Sequence, residues 1–531
     1  LKPNWNHIHL PIAFALIFIS GIWIGKLIGQ KSTHNMTSGK ADKINSILDY
    51  VQDQYVDSIN REHLVDKTIA DLLQELDPHS AYMTAEERKR LNEPLEGNFE
   101  GIGVEFNIVN DTVRVMNVVV GGPSANAGLF AGDRIVLVNG KPFAGTHITN
   151  DKVLKTLRGT GGTRVELKIK RLGTKALLTF NLTRGTVPLY SIDAAYLLKP
   201  GLGYIKLSRF AATSYDEYMQ AFDKLKAKGM NKLILDLRGN GGGYLNIAVS
   251  LADEFLAKGK LIVYTKGRAL QQGGKQFVAT SKGSFETNKL ILLIDENSAS
   301  ASEIIAGAIQ DNDRGILVGR RSFGKGLVQE ERDLPDGSAF RLTIARYYTP
   351  SGRCIQRSYK NGKEEYYQDE QDRYKRGELL HADSIKFADS LKFKTPGGKT
   401  VYGGGGIMPD VFVPLDTSEQ SRYVNELIFS GVLKDFVLEY IDHSRNLLIR
   451  KGFEDFADHF NEGPRLVQEL SAFAVRKGLK YDPRQAEQHL SYLSYYIKAT
   501  IARMVWTEEK FYVIYNTRDK TLKQAIEEAE K

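Results

Sequence analysis

Residues 289–319 read KLILLIDENSASASEIIAGAIQDNDRGILVG. The opening run, KLILLIDEN, has an unbroken apolar centre from Leu290 to Ile294, as suits a strand buried on both faces; a helix spans Ala301 to Gln310, and GILVG is a second short apolar strand. The pattern repeats upstream. GLGYIKLSRF (201–210) is a strand, Tyr215 to Lys228 an amphipathic helix, KLILDLRG (232–239) a continuous apolar strand, and Leu245 to Leu256 a helix. Strands alternating with helices make βαβ crossovers and a largely parallel sheet covered by helices, so this part of the chain is α/β.

Around that core, 531 residues leave room for three or four domains at about 150 residues each. Hydrophobic residues at 42% and charged residues at 26% exclude disordered, collagen-like and multi-spanning membrane classes. A net charge of +8 without a long like-charged block gives no indication of nucleic acid. The single cysteine, Cys354, excludes an intrachain disulfide and multi-cysteine metal clusters, and reads as structural. Residues 1–8 are a tail. Residues 9–29 contain the uncharged run LPIAFALIFISGIWIG and read as a membrane anchor or signal segment: the run is slightly short of the ~20 residues of a span, which suits a cleaved signal peptide, but no small-residue cleavage site follows it, which favours an uncleaved anchor. Lys2 on one flank against Lys26 and Lys31 on the other gives no orientation.

Residues 30–95 form an N-terminal helical region. Ile44, Ile47, Leu48 and Val51 share a helix face, as do Ile69, Leu72, Leu73 and Leu76, and Asp77-Pro78-His79-Ser80 makes a turn between two helices. Residues 96–185 change to short alternating strands with glycine punctuation, an α+β module. The core occupies 186–416, with a charged, tyrosine-rich insertion or strap at Tyr359 to Thr395, and 417–531 is a separate, mainly helical C-terminal region.

Two loops follow buried core strands directly, the position at which open α/β sheets bind ligands. The first is Asp236-Leu237-Arg238-Gly239-Asn240-Gly241-Gly242-Gly243, whose glycines allow close approach and free N–H groups. It lacks the Lys-Ser/Thr of a P-loop and the spacing of a dinucleotide site. The second holds Ser298, Ser300 and Ser302. Ser300 with Glu303 fits a capping box that merely starts a helix, yet a helix N-terminus also favours an oxyanion forming beside a serine nucleophile. A Ser-His-Asp triad is excluded because the one histidine between residues 190 and 415, His381, lies in the charged insertion. Lys325, flanked by Gly324 and Gly326, is the remaining base. It requires desolvation to lower its pKa, and its competing reading is a surface lysine in a glycine turn. Gln329 stands four residues on, on the same face, where its amide can orient the lysine.

Taken together, LDPHSAYM, DLRGNGGG, SASASEIIAGAIQDN, RRSFGKGLVQ, RYYTPSGRCIQ and GGGIMPD resemble the carboxyl-terminal processing (tail-specific) serine peptidases, from about Lys43 to Pro414. Gly101-Ile102-Gly103-Val104, Gly122-Pro123-Ser124-Ala125 and Ile135-Val136-Leu137-Val138-Asn139-Gly140 resemble a PDZ domain of the bacterial protease type. In such a domain Gly101, Ile102, Gly103 and Val104 are the peptide-binding nest for a free C-terminal carboxylate, beside a strand edge that takes the peptide by β-addition. The resemblance implies a multidomain α/β and α+β protein: a ClpP/crotonase-like peptidase core with an inserted PDZ domain between N- and C-terminal helical regions. It also implies that Ser300, twenty-five residues before Lys325, is the nucleophile rather than Ser298 or Ser302, with Lys325 the base and Gln329 its support. The oxyanion donors it implies are the N–H of Ala301 and of Gly242, with Gly243 the alternative register. The expected substrates are proteins or peptides with free, apolar C-termini. No cofactor or metal is expected, and the catalytic part is expected on the periplasmic side of a bacterial inner membrane. Two other classes stand beside this reading. The intact Ser300, Lys325 and Gln329 argue against a non-catalytic PDZ scaffold; the PDZ module and anchor argue against a crotonase-like acyl-CoA enzyme, which fold analogy alone suggests.

Overall fold

The computed structural model describes residues 43–269, 274–280, 283–419 and 421–531, so the expected tail and anchor, 1–8 and 9–29, lie outside the described residues. Among the described residues, no helix is long and apolar enough to cross a membrane. Two compact units divide the chain after Glu75. In the first, α1 (Lys43–Gln54) buries Leu48 and α2 (Arg61–Gln74) buries Leu73. The Asn60 side chain starts α2 by accepting from His63 N–H at 3.1 Å.

The second unit opens with the turn at 77–80. A strand follows it rather than the expected helix: β1 (Ala81–Met83) pairs antiparallel with Phe340 and its neighbours. Three residues cannot hold a strand alone, and their partner comes from more than 250 residues downstream, which local periodicity does not report. The helical pattern resumes as α3 (Ala85–Glu96), started by a capping box between Thr84 and Glu87.

The glycine-punctuated module is an antiparallel sheet of β2 (Val104–Ile108), β3 (Val113–Val118), β4 (Arg134–Val138), β5 (Arg164–Lys170) and β6 (Leu178–Thr183), in that order, with α4 (Asn150–Leu157) inserted between β4 and β5. Val113, Val115, Ile135, Val153, Leu167 and Ile169 are its fully buried centre. Among the described residues, strand β2 pairs with β3 alone, which leaves it at the sheet edge.

The α/β part runs through β7 (Ile192–Lys199), β8 (Leu202–Leu207), α5 (Ser214–Ala227), β9 (Lys232–Asp236), α6 (Leu245–Asp253), β10 (Leu261–Lys266), β11 (Lys289–Ile294), α7 (Ala301–Asp311), β12 (Ile316–Gly319), β13 (Leu327–Asp333), β14 (Ala339–Tyr348), α8 (Lys363–Lys375) and β15 (Val411–Phe412). Its main sheet has the order β7-β8-β9-β11-β12-β15, parallel except for the β7/β8 pair. Alternate side chains serve opposite faces. Leu290 and Leu292 pack with Tyr218, Phe222, Leu251, Ile305 and Ile309 of α5, α6 and α7, whereas Ile291 and Leu293 face the other way. A second, antiparallel sheet is organised by β14, which pairs with β1, β10 and β13.

The C-terminal region contains α9 (Arg422–Phe429), α10 (Val432–Lys451), α11 (Gly463–Arg476), α12 (Leu490–Val505), α13 (Glu508–Tyr515) and α14 (Lys520–Glu530). Helices α9 to α13 have their own core around Leu433, Val437, Leu466, Leu470, Leu493 and Ile497. Helix α14 does not belong to it. Leu522, Ala525 and Ala529 cover the second face of the main sheet, against Ile291, Leu293 and Val318. Helix α10 grips the β2–β6 module: Asp442, its side chain 7% exposed, pairs with Arg114 at 2.7 Å and Arg134 at 2.8 Å, and Arg445 donates to the Ala131 carbonyl.

Candidate active site

Strands β9 and β11 are parallel neighbours with Asp236 opposite Leu293, so the loops after them leave the sheet at the same end. Asn240 ties the two together. Its side chain donates to the Leu207 carbonyl and accepts from Gly242 N–H at 2.9 Å, while its carbonyl accepts from Ala299 N–H at 3.0 Å and Ser302 Oγ at 2.9 Å. Gly242, with φ +100°, lies so near Ser300 that an added Cβ would stand 2.8 Å from the serine Cβ and 3.0 Å from Ala301 N. Among the described residues, the N–H groups of Ala301 and Gly243 have no acceptor, whereas that of Gly242 is already engaged by Asn240.

The three serines differ in burial and commitment. Ser298 and Ser302 are fully buried and donate to the carbonyls of Leu237 and Asn240. Ser300 is partly exposed and precedes α7, as the capping box predicts. Its backbone is not that of an ordinary cap, however. At φ 55°, ψ −111° it occupies a region open to glycine and strained for serine, by ~1–3 kcal/mol.

Lys325 is brought to this loop by its backbone. The buried Glu303 carboxylate accepts from the N–H groups of Ser300 (2.8 Å), Gly324 (2.7 Å) and Lys325 (2.9 Å) and from Ser322 Oγ (2.6 Å). Tyr347 Oη lies 3.1 Å from the Ser300 carbonyl and 2.5 Å from that of Lys325. One acid thus holds the main chains of both residues, and one phenol proton is shared between their carbonyls, nearer that of Lys325. Lys325 Nζ donates to Gln329 Oε1 at 3.0 Å, and Gln329 Nε2 donates to the His79 carbonyl at 2.5 Å. Gln329 follows a register shift between β13 and β14 that re-aims the strand.

Burial lowers the Lys325 pKa below the usual amine range. The charge of Arg341 adds to that, and Glu303 and Asp77 act against it. Glu303 is pushed up to about 7 by burial, against the pull of its four donors. His79 is pulled down to about 4 by burial and then by Lys325, so its ring, bonded through Nε2 to Tyr366 Oη at 2.8 Å, is neutral near pH 7. A buried amine and a serine at a helix N-terminus, with main chains bonded to the same carboxylate, are a pair suited to nucleophilic acyl transfer. Glu303, Tyr347 and His79 escaped the sequence reading as site residues. All three lie in the sequence blocks named for the family resemblance, but the bonds that join them to Lys325 and Gln329 span 22 to 250 residues.

In the β2–β6 module, Gly101 ends a strand paired with Gly185–Pro188, Gly103 has φ +79°, and Val104 opens the edge strand β2. The Ile102 side chain is 2% exposed, within the module's core, with Val104 packed against it from a half-buried position. His381 lies outside these contacts, as the sequence indicated.

Residues 201–362 match the model of peptidase family S41, 114–171 that of a PDZ domain, 24–87 that of the N-terminal domain of the activating protease CtpB, and 423–508 that of a family of unknown function. The carboxy-terminal-processing protease of Bartonella bacilliformis is 34% identical over 351 residues, 64% of this chain and 80% of that protein. The carboxy-terminal processing protease CtpA of Bacillus subtilis is 32% identical over 346 residues, 65% and 72% respectively. CtpB of the same organism is 34% identical over 317 residues, 59% and 65%. With 80% of one such relative covered at 34% identity, the chain belongs to the carboxy-terminal processing proteases, serine peptidases of family S41 that carry a PDZ domain.

Proposed function

We propose that Ser300 is the nucleophile, Lys325 the general base and Gln329 its support, acting on proteins whose free C-termini the PDZ domain captures. The observation that carries this is the shared clamp: Glu303 accepts from the main-chain N–H of both Ser300 and Lys325, and the single Tyr347 hydroxyl proton is shared between their carbonyls, nearer that of Lys325. Such a clamp holds a nucleophile and a base in fixed relation before substrate arrives. Neutral Lys325 takes the Ser300 hydroxyl proton as Oγ attacks the scissile carbonyl. The oxyanion is met by the N–H of Ala301 and of Gly242 or Gly243. Collapse to the acyl-enzyme breaks the C–N bond as the leaving amine takes the proton from Lys325; water, deprotonated in turn by the neutral Lys325, then attacks the acyl carbon, and the C–O bond to Ser300 breaks as Lys325 returns the proton to Oγ.

The finer parts of the proposal are a ClpP/crotonase-like core over 186–416, a PDZ domain over 96–185 reading apolar tails through Gly101, Ile102, Gly103 and Val104, and helical regions at 30–95 and 417–531. Residues 9–29 would anchor the enzyme in a bacterial inner membrane with its catalytic part on the periplasmic side. The mostly parallel sheet supports the first, and the open edge of β2 beside the left-handed Gly103 supports the second.

The test is incubation of wild-type and Ser300→Ala enzyme with an unfolded protein bearing an apolar C-terminus, free or amidated. Cleavage by the wild type alone, faster with the free end, is expected. Equal rates for both ends would remove tail recognition and leave a general peptidase.

A further inference from the structure

The Gln329 carboxamide can face Lys325 in two ways, and they have opposite consequences. With its oxygen toward Nζ it accepts an N–H of the lysine and leaves the amine lone pair free for Ser300. Turned over, its NH2 donates to that lone pair and blocks the base. The choice is made outside the core segment that carries Ser300 and Lys325. Gln329 Nε2 donates to the main-chain carbonyl of His79, an acceptor that only the NH2 can satisfy.

That carbonyl is itself held in place. The Asp77 carboxylate accepts from the N–H groups of His79 (2.8 Å) and Ser80 (2.9 Å), from Ser80 Oγ (2.6 Å) and from Thr343 Oγ1 (3.1 Å). Thr343 N–H returns a bond to Ser80 Oγ at 3.1 Å, and Thr343 is the residue of β14 paired with Gln329 in β13. The turn and the glutamine are thus registered on one strand. Asp77 is 8% exposed, and the hydrogen bonds it accepts hold its carboxyl below the usual carboxylate range against the effect of burial.

We propose that the Asp77–Ser80 turn orients the Gln329 carboxamide for Lys325, with Asp77 the positioning residue that fixes the His79 carbonyl. This assigns a task to the Asp-Pro-His-Ser turn and rests on the reading of Lys325 as base.

The test compares Asp77→Asn, Gln329→Met and the double variant, with kcat, KM and the pH dependence of kcat measured on the full chain. The groups facing Lys325 are Glu303 from α7, Arg341 from β14, and Asp77 and His79 from the turn, with Arg357 beyond His79. Removing the Asp77 charge therefore acts on Lys325 directly as well as through Gln329. The double variant separates the two, since a direct charge effect persists without Gln329 and positioning does not. Asp77→Asn is expected to lower kcat at least tenfold with KM within twofold, and to cost less than twofold in the Gln329→Met background. The charge-neutral Ser80→Ala should show the same dependence on Gln329. Equal losses in both backgrounds would overturn the proposal. Lys325→Ala serves as the separate control: if it keeps the ascending pH limb, the base assignment itself falls, whatever Asp77 does.

Discussion

Gly242 and Ser300 are in contact through a space that admits no methyl group: a Cβ on Gly242 would stand 2.8 Å from the serine Cβ and 2.8 Å from the Ala299 carbonyl. Gly242→Ala must push the serine loop away or distort the glycine loop, at a backbone already at φ +100°. Because that Cβ would also stand 3.0 Å from Ala301 N, the proposed oxyanion donor, we expect kcat/KM to fall ~10²–10³-fold, the scale of losing one such donor, with the fold retained by circular dichroism. Activity within threefold of wild type would dissociate this contact from catalysis.

Ser300 sits where glycine is at ease. Ser300→Ala and Ser300→Gly should both be inactive, but the glycine variant should be the more stable, by ~1 kcal/mol, because it relieves the strain that alanine retains. Denaturant unfolding of the two variants decides it. A glycine variant less stable than the alanine variant would mean that the conformation carries no strain.

Glu303 meets four donors, and a carboxamide offers one accepting oxygen and an NH2 that would confront N–H groups. Glu303→Gln should therefore lose activity at least a hundredfold while Ser300 and Lys325 remain. Stability provides a second signature. Because the folded pKa lies near 7 against an ordinary 4.5, the folded state holds the proton more tightly, and this group's contribution falls as pH rises between those values. Urea unfolding at pH 5 and pH 8 should show that decline in the wild type and a flatter response in Glu303→Gln.

As the proposed base Lys325 must act as the free amine, and burial depresses its pKa. The rate should rise with pH and level off below the ~10.4 of an ordinary lysine. Lys325→Arg keeps the charge and does not deprotonate in this range, so it should be as inactive as Lys325→Ala. An arginine variant cleaving at a tenth of the normal rate would show that another group is the base.

Asp442 of α10 neutralises Arg114, whose side chain is 8% exposed, and also pairs with Arg134. Asp442→Ala leaves a buried guanidinium unpaired, at a cost of ~3–5 kcal/mol to the contact between α10 and the β2–β6 module. Limited proteolysis should then cut the module's connections sooner than in the wild type, while kcat on a short peptide changes less than the proteolytic rate. An unchanged digestion pattern would show that the pair does not hold the module.

Some of this was legible in the residues alone. Apolar runs alternating with amphipathic helices specified the parallel sheet, because burial on both faces leaves a mark on every residue of a strand. Glycine in the 236–243 loop and a serine before α7 marked two strand ends that the structure brings into contact, since both needs are local: close approach for one, free N–H groups for the other. The order of short blocks then gave the family. Tertiary structure decided what the strings leave open. It made a strand of Ala81–Met83, which has no stability without β14. It placed α14 on the main sheet although the helical pattern around it suggested a separate region. It gathered Glu303, Tyr347, Asp77 and His79 around Lys325. A hydrogen bond between residues far apart in the chain leaves no periodicity, and the strain at Ser300 resides in two dihedral angles that serine itself does not prefer, so both arise only when the fold closes.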